Sequence, residues 1–132
     1  NKLRRVLESD PDNPTYLRDL GIGLGSLGDA YQGQGNLADA VGAHTESVTH
    51  RRRVLESDPD NPTYLRDLGI GLGSLGDAYQ GQGNLADAVG AHTESVTHYR
   101  RVLESDPDNQ RWISELDRAL QKLTDLRGTN EN

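Results

Sequence analysis

Residues 27–41 read LGDAYQGQGNLADAV, and the same letters return at residues 75–89. The identity extends outward on both sides, because residues 4–50 recur letter for letter as residues 52–98, a period of 48 residues. A third copy begins at Arg100, reads RRVLESDPDN to Asn109 and then diverges. Periods of roughly 20–50 residues are typical of stacked supersecondary units that cannot bury their apolar faces alone. The sequence therefore predicts a repeat architecture.

The first segment of each repeat has the pattern of an amphipathic helix. Asn13 is a suitable N-cap, and Pro14 follows at the first helical position, where a missing N–H is tolerated. Gly33 and Gly35 supply the stop, since glycine can adopt the left-handed conformation that closes a helix. Between these signals the apolar residues are spaced by three and four positions, which places them in one stripe: Leu17, Leu20, Leu24, Leu27 and Tyr31.

A second helix is predicted from residue 37 onward. Asn36 is its N-cap, and Asp39 stands three residues later in a position like that of a capping box. The acidic, proline-containing SDPDNP at residues 57–62 ends it and leads into the next copy. Short connections between helices of similar length predict an antiparallel hairpin. The stripe of this second helix carries Leu37, Val41, His44, Val48, Arg51 and Leu55.

The two ends of the chain continue this register. Residues 1–9 correspond to the last turns of a second helix, with Leu3, Val6 and Leu7 on its apolar side. After Asn109 a degenerate first helix follows without the internal glycines, as expected of a terminal cap. We expect one array of six helices, the first truncated: a truncated end at 1–9, repeats at 13–58 and 61–106, a capping helix at 109–128 and a tail at 129–132.

Both ends are predicted to expose apolar surface. The truncated first helix would leave the second half of the following helix uncovered near Leu24, Leu27 and Tyr31. The last helix has no following partner, and its apolar residues Trp112, Leu116 and Leu123 would then be exposed. Exposed patches at the ends of an array favour association. We therefore expect self-association through the chain ends.

Composition excludes several classes of protein. The net charge is −7, which argues against a nucleic-acid binder because phosphate binding needs clustered Lys and Arg. No apolar run approaches the roughly 20 residues needed to span a bilayer, so no membrane partner is expected. Cysteine is absent, which favours a reducing compartment and predicts a cytoplasmic protein. Methionine is absent even at position 1, which suggests an excised piece of a longer protein.

Neither a catalytic nor a metal site is predicted, and no cofactor is expected. The string at residues 23–28, GLGSLG, fits G-x-G-x-x-G, but a dinucleotide site needs a strand before it and a helix opening at it. Here the string interrupts a leucine stripe, so close helix packing is the preferred explanation. We expect Gly28 at the close contact between helices and Gly25 on the open face. His44 and His92 are predicted to be buried, hydrogen-bonded core residues. No tight cluster of metal ligands accompanies them, and nothing positions a nucleophile.

These residues resemble the tetratricopeptide repeat. The family pattern places a large residue, Leu-Gly and Tyr in one helix, then Ala and an aromatic in the next, followed by Pro. This chain has the pattern at Leu24, Leu27-Gly28, Tyr31, Ala40, His44 and Pro59, and 48 residues later at Leu72, Leu75-Gly76, Tyr79, Ala88, His92 and Pro107. The period exceeds the usual 34 residues, as in long bacterial arrays of this kind. The resemblance implies an all-α, right-handed α-solenoid of antiparallel helical hairpins, with about two full repeats and terminal half-repeats.

The resemblance also implies where a partner binds. The first helices of such arrays line a concave surface, and a protein or peptide ligand would lie along it. The family's carboxylate clamp is absent, since Gly25 and Asp29 occupy its positions. Ser114, Gln121 and Asp125 continue this surface on the last helix. The expected partner-binding residues, which we call the concave strip, are Thr15, Arg18, Ile22, Asp29, Gln32, Thr63, Arg66, Ile70, Asp77, Gln80, Arg111 and Arg118.

The leading hypothesis is a non-enzymatic protein–protein interaction scaffold. An engineered or purely structural repeat module without a ligand of its own is the alternative, because perfect identity is also compatible with it. Nucleotide binding through the glycine string is a remote third hypothesis.

Overall fold

The computed structural model describes residue 5 and residues 8–131, with side chains as far as residue 128. Five α-helices follow one another within that part of the chain. They are α1 (Pro14–Gly33), α2 (Leu37–Ser57), α3 (Pro62–Gly81), α4 (Leu85–Ser105) and α5 (Gln110–Glu131). Arg5, Glu8 and Ser9 are also helical, whereas Leu3, Val6 and Leu7 of the predicted truncated helix lie outside the described residues.

The helix boundaries follow from local chemistry. Asn13 accepts a hydrogen bond from the backbone N–H of Tyr16, and Asn36 accepts one from that of Asp39. The reciprocal backbone bond of a capping box is not formed, because the Asn36 N–H donates to the Tyr31 oxygen at 2.9 Å; Nδ2 of the Asn36 side chain donates to Asp39 Oδ2 at 2.5 Å instead. Gly35 has a φ of +77°, the left-handed conformation that lets α1 end and α2 begin after three residues. The same caps recur in the second repeat.

Consecutive helices pack as hairpins, and the hairpins stack. The main contacts join α1 to α2 and α3 to α4, and smaller ones join α2 to α3 and α4 to α5. The stacking of the two repeats buries one apolar cluster that contains Val48, Leu68, Leu72 and Leu75. A second cluster, of Val96, Ala119 and Leu123, holds α5 against α4. The predicted all-α repeat of helical hairpins is confirmed.

Glycine brings the two helices of a hairpin close together. In the first repeat, the buried Ser47 hydroxyl donates to the Gly21 carbonyl oxygen across the α1–α2 contact at 2.6 Å. In the second, Ser95 donates to the Gly69 oxygen at 2.8 Å. The expectation that Gly25 lies on an open face is wrong, because a Cβ there would lie 3.2 Å from Nη2 of Arg51. Gly23 is the open position, with nothing within 4 Å of an added Cβ.

Helices α2 and α4 differ in sequence at one position, which is Arg51 in the first and Tyr99 in the second. Arg51 is buried, and its Nη1 donates to the backbone oxygen of Asp67 on α3 at 2.5 Å. Burial lowers the pKa of this guanidinium below its ordinary value, although the nearby Asp67 opposes that shift. Arg51 and Tyr99 both lie beside the equivalent glycine of their own repeat, Gly21 and Gly69, but Tyr99 packs against the apolar cluster that holds α5. One substitution therefore changes the contact between neighbouring repeats.

The two ends of the described array are unlike. Leu27 is 45% exposed, as expected for a residue without its usual cover. The prediction of apolar surface at the other end is wrong, since Leu123 is 5% exposed and packs against α4. Where α1 has Gly21, Gly25 and Gly28, α5 has three exposed polar residues: Asp117, Gln121 and Thr124. The last helix therefore presents a polar face at these positions.

Candidate binding surface

Two of the four arginines of the concave strip, Arg18 and Arg66, are engaged between repeats. Nε of Arg18 on α1 donates to Oδ2 of Asp67 on α3 at 2.6 Å. Arg66 on α3 makes a two-pronged contact with Glu115 on α5, through Nε at 2.9 Å and Nη2 at 2.6 Å. The Arg66 guanidinium holds the pKa of Glu115 below its usual value. These arginines therefore tie successive first helices together.

Asp77 lies in a cluster of polar groups on the same strip. Its Oδ2 accepts from Nζ of Lys122 on α5 at 2.8 Å, and its Oδ1 lies 3.4 Å from Nε2 of His92. Burial raises the pKa of Asp77, but the contacts with His92 and Lys122 outweigh burial and leave that pKa below its ordinary value. Asp29, the equivalent residue of the first repeat, is 3.5 Å from Nε2 of His44 and is largely exposed.

The two core histidines are buried, as predicted. His44 and His92 are each 1% exposed, on the faces of α2 and α4 that meet the preceding helix. The expected hydrogen bonding fails for His44, because neither ring nitrogen has a hydrogen-bond partner among the described residues. Burial lowers the pKa of His44, against the opposing influence of Asp29. The ring is therefore held as a neutral, packed group.

A cleft of about 300 Å³ opens on the strip between α3 and α5. Its wall includes the half-buried Tyr99, whose pKa is raised to about 12 by burial and by nearby Glu115. Arg118 also lines the cleft; it is exposed and forms no hydrogen bond or ion pair within the described part of the chain. The complete lining is Arg66, Ile70, Gly73, Ser74, Asp77, Tyr99, Glu115, Arg118 and Lys122.

A second cleft of about 290 Å³ lies between the starts of α1 and α3. It brings Thr15 and Arg18 of the strip together with Thr63, and adds Asp19, Asn61 and Tyr64. Farther along α1, Ile22 is 40% exposed, and among the described residues only Leu27 is a comparably exposed large apolar side chain. The strip thus contains two clefts lined mainly by polar residues, and an exposed aliphatic residue on α1.

The remaining members of the strip are peripheral. Gln80 is exposed and Gln32 half-buried, and neither lines a described cleft. Arg111 is exposed and lies 3.5 Å from Glu115. Ser114 is exposed, and Gln121 donates to Asp125 at 2.8 Å on the outer side of α5. The structure thus gathers about half of the predicted residues around the two clefts.

Sequence reasoning missed four residues that shape this surface. Asp67, Glu115 and Lys122 are the partners of predicted strip residues, and Tyr99 forms part of the larger cleft. A signal for the first two was present, because an acidic residue follows each arginine at a separation of 49 positions. Tyr99 was marked by breaking the identity between the repeats.

The structure gives little support to nucleotide binding, metal binding or a membrane-spanning role. The glycine string at 23–28 lies in the middle of α1, where backbone N–H groups are used by the helix and cannot cradle a phosphate. Among the described residues, no group of three or more His, Asp or Glu is placed to hold a metal ion. Within the same residues, no helix is both long and apolar enough to cross a membrane.

Comparison with known proteins places this architecture in a family. No curated protein matches the chain. Residues 24–63 and 72–109, more than half of the sequence, match the tetratricopeptide repeat. The matched segments each run from the middle of a first helix through the second helix to the next turn, which is the hairpin seen in the structure. The chain therefore belongs to the tetratricopeptide repeat family.

Proposed function

We propose that the chain is a protein-interaction scaffold that binds a peptide or a partner protein along its concave strip. Tetratricopeptide repeats generally serve as protein-interaction scaffolds, and the family is typically non-enzymatic. The observation that carries the proposal is the cleft between α3 and α5. It combines an aromatic wall at Tyr99, an aliphatic residue at Ile70 and the unpaired guanidinium of Arg118.

The chemistry of this cleft favours an extended segment with an acidic side chain. Arg66 and Lys122 are neutralised by Glu115 and Asp77, so Arg118 is the cation left to pair with a ligand. An aliphatic or aromatic ligand side chain could cover Tyr99 and Ile70 while its neighbouring carboxylate pairs with Arg118. Aromatic and arginine side chains are the commonest energetic anchors of protein interfaces.

A selection of displayed peptides on the 132-residue chain tests this function. Arg118→Glu should weaken the selected peptides at least tenfold, because it reverses the one unpaired charge of the cleft. Arg100→Glu is the matched control: Arg100 is exposed on α4, and the same charge change there should leave affinity unchanged. Recovery of no binding peptide would favour a purely structural module. Peptides insensitive to Arg118→Glu would move the binding site elsewhere.

Charge reversal at both Arg66 and Asp77 would not be a clean test of binding. Reversing Arg66 together with Asp77 would break two contacts that hold α5 to α3. That double change should therefore lower stability as well as binding, whereas Arg118→Glu should leave the thermal unfolding curve close to that of the unaltered chain.

A further inference from the structure

A small cavity lies between α3, α4 and α5 and adjoins the larger cleft of the concave strip, with which it shares most of its lining. Its volume is about 80 Å³. Each lining residue has a counterpart 48 positions earlier, where α1, α2 and α3 meet. We call that earlier place the first junction and the place of the cavity the second junction. The lining residues are Gly73, His92, Ser95, Tyr99, Glu115, Arg118, Ala119 and Lys122.

Arginine fills this space at the first junction. The stem of Arg51 lies beside Gly21, where an added Cβ would stand 3.2 Å from Cγ. Its guanidinium continues to Gly25, where an added Cβ would stand 3.2 Å from Nη2. Nη1 donates to the backbone oxygen of Asp67. A planar, charged group therefore occupies the space between the three helices of the first junction.

Tyrosine leaves the equivalent space open at the second junction. The ring of Tyr99 lies beside Gly69, with Cζ 3.3 Å from an added Cβ, as the stem of Arg51 lies beside the equivalent glycine. The ring does not extend to Gly73, where an added Cβ would meet only Oγ of Ser95, at 3.7 Å. The cavity is therefore the space that a guanidinium takes in the other repeat.

Positive charge around the cavity comes from α5. Arg118 and Lys122 line it, where the first junction has Ile70 and Ser74. The first junction thus holds its cation, Arg51, inside the filled space, whereas the second has cations around an open one. An open space with cations in its wall favours an anionic ligand.

The carboxylates near the cavity do not cancel this charge. Glu115 accepts from both Nε and Nη2 of Arg66, which holds the pKa of Glu115 below its usual value, so this acid is ionised and paired. Asp77 is paired with Lys122 at 2.8 Å. Arg118 is left with a positive charge and no hydrogen bond or ion pair within the described part of the chain.

Tyr99 adds a hydrogen-bond donor. Burial and the nearby Glu115 raise the pKa of Tyr99 to about 12, so its hydroxyl keeps the proton at neutral pH. This hydroxyl forms no hydrogen bond among the described residues. A carboxylate in the cavity can accept from the hydroxyl and from Arg118, and a bond to a charged partner is stronger than one between neutral groups. A carboxylate is also planar, like the guanidinium that fills the first junction.

We propose that the cavity binds the carboxylate of an aspartate or glutamate side chain of the partner, and that Tyr99 confines this binding to the second junction. The role of the cavity rests on the proposed interaction with an acidic segment. Tyr99 is then the residue that determines where along the array a ligand is held. Arginine closes the first junction, and tyrosine leaves the second open.

Phenylacetate is a probe that requires no identified partner, since its carboxylate suits the cavity and its ring can cover Tyr99. Phenylacetamide is the matched control, because it has the same shape without the charge. Titration followed by nuclear magnetic resonance should show saturable shifts of the Gly73 and Ser95 amides with phenylacetate, and binding at least tenfold weaker for phenylacetamide. The amides of Gly25 and Ser47, at the first junction, should not shift.

Tyr99→Arg should close the cavity and weaken phenylacetate at least tenfold. Cδ of Arg51 lies 3.1 Å from a Cβ at Gly71, and α5 has Ala119 at that position. A second variant, Tyr99→Arg with Ala119→Gly, gives the arginine the room it has at the first junction and should lose binding equally. Thr97→Arg is the control: Thr97 is exposed on α4, so the same charge there should leave binding unchanged. Thermal unfolding verifies the fold of each variant.

Peptides selected on the 132-residue chain test the same site with a protein ligand. They are prepared with amidated C-termini, so that a chain end cannot supply the carboxylate. Changing the acidic residue of such a peptide to its amide should weaken binding to the unaltered chain at least tenfold and should have little further effect on the Tyr99→Arg chain. Phenylacetate binding in the cavity without any selected peptide would support the carboxylate site and contradict the scaffold function.

Three results would overturn the proposal. The first is equal binding of phenylacetate and phenylacetamide, or no binding of either at millimolar concentration. The second is a shift of Gly25 and Ser47 as large as that of Gly73 and Ser95. The third is undiminished binding by a folded Tyr99→Arg chain. Peptides that depend on Arg118 and tolerate Tyr99→Arg would keep the scaffold function and remove the cavity from it.

Discussion

The imidazole of His44 lies directly on the backbone of Gly28. A Cβ at Gly28 would stand 2.6 Å from both Cε1 and Nε2 of the ring, closer than real contacts allow. The second repeat has the same relationship between His92 and Gly76, at 2.6 Å from Nε2. Glycine at the family's Leu-Gly position is therefore required by the histidine that replaces the usual aromatic residue of the next helix.

Gly28→Ala should lower the free energy of unfolding by about 1–3 kcal/mol, because the buried ring must move to admit the methyl group. Gly23→Ala, in the same helix, should raise it by up to about 1 kcal/mol through helix propensity alone. Urea unfolding followed by circular dichroism measures both. Stabilisation by both changes would contradict the close contact between Gly28 and His44.

A double variant separates this contact from a general intolerance of alanine. His44→Ala removes the ring and leaves space for the added methyl group. Gly28→Ala should then cost less in the His44→Ala background than in the unaltered chain, a coupling of about 1 kcal/mol or more. Strictly additive losses would show that the ring is not the obstacle.

Leu75→Ala and Leu27→Ala compare one side chain in two surroundings. Leu75 is buried between the repeats, so its truncation should cost about 2–5 kcal/mol. Leu27 is nearly half exposed, so the same change there should cost less than about 1 kcal/mol. Chemical denaturation of the two variants decides the matter, and equal losses would mean that Leu27 is covered in solution.

The two inter-repeat arginines differ in geometry and should differ in their tolerance of lysine. Arg66 uses two nitrogens on Glu115, and lysine cannot reproduce that fork. Arg66→Lys should therefore cost about 1–2 kcal/mol. Arg18 uses Nε alone on Asp67 and is more exposed, so Arg18→Lys should cost less than about 0.5 kcal/mol. Thermal unfolding provides the comparison, and a larger loss at Arg18 would reverse this ranking.

Histidine burial should make the chain less stable in mild acid. Burial lowers the pKa values of His44, His50 and His98 below their ordinary values near 6.5. Below about pH 6.5 the unfolded chain therefore binds more protons than the folded one, so stability present above that pH is lost as pH falls. The free energy of unfolding should decrease from pH 7.5 to pH 5.5. His44→Gln should reduce this slope, and an unchanged slope would assign the effect to other groups.

Much of the fold could be predicted because its signals are local. The caps at Asn13 and Asn36 and the stop at Gly35 depend on a few neighbouring residues, and the structure has them as expected. Burial of His44 followed from its place in an apolar stripe. The contacts between repeats were harder to predict, because the acids that pair with Arg18 and Arg66 lie 49 residues away and only the repetition of that separation marks them.

Two predictions were wrong because residues at equivalent positions of the repeats were assumed to have the same surroundings. Gly25 was assigned to an open face, but the long side chain of Arg51 reaches it from α2. The last helix was expected to expose its leucines, although Asp117, Gln121 and Thr124 replace glycines on the face that would otherwise receive a further helix. That replacement was readable in the sequence. The contact of the Arg51 side chain with Gly25 could not be predicted from the sequence, because the conformation of a long side chain depends on how the helices pack.

The identity of α1 and α3 provides an internal standard for amide hydrogen exchange. All 20 residues and their immediate flanks are the same, so corresponding amides exchange at the same rate in the unfolded chain. The logarithm of the ratio of measured rates between a residue of α1 and its counterpart in α3, multiplied by RT, is then the difference in local opening free energy that neighbouring helices contribute. Read residue by residue, these ratios map how far the influence of α2 on α3 extends along one sequence in two environments.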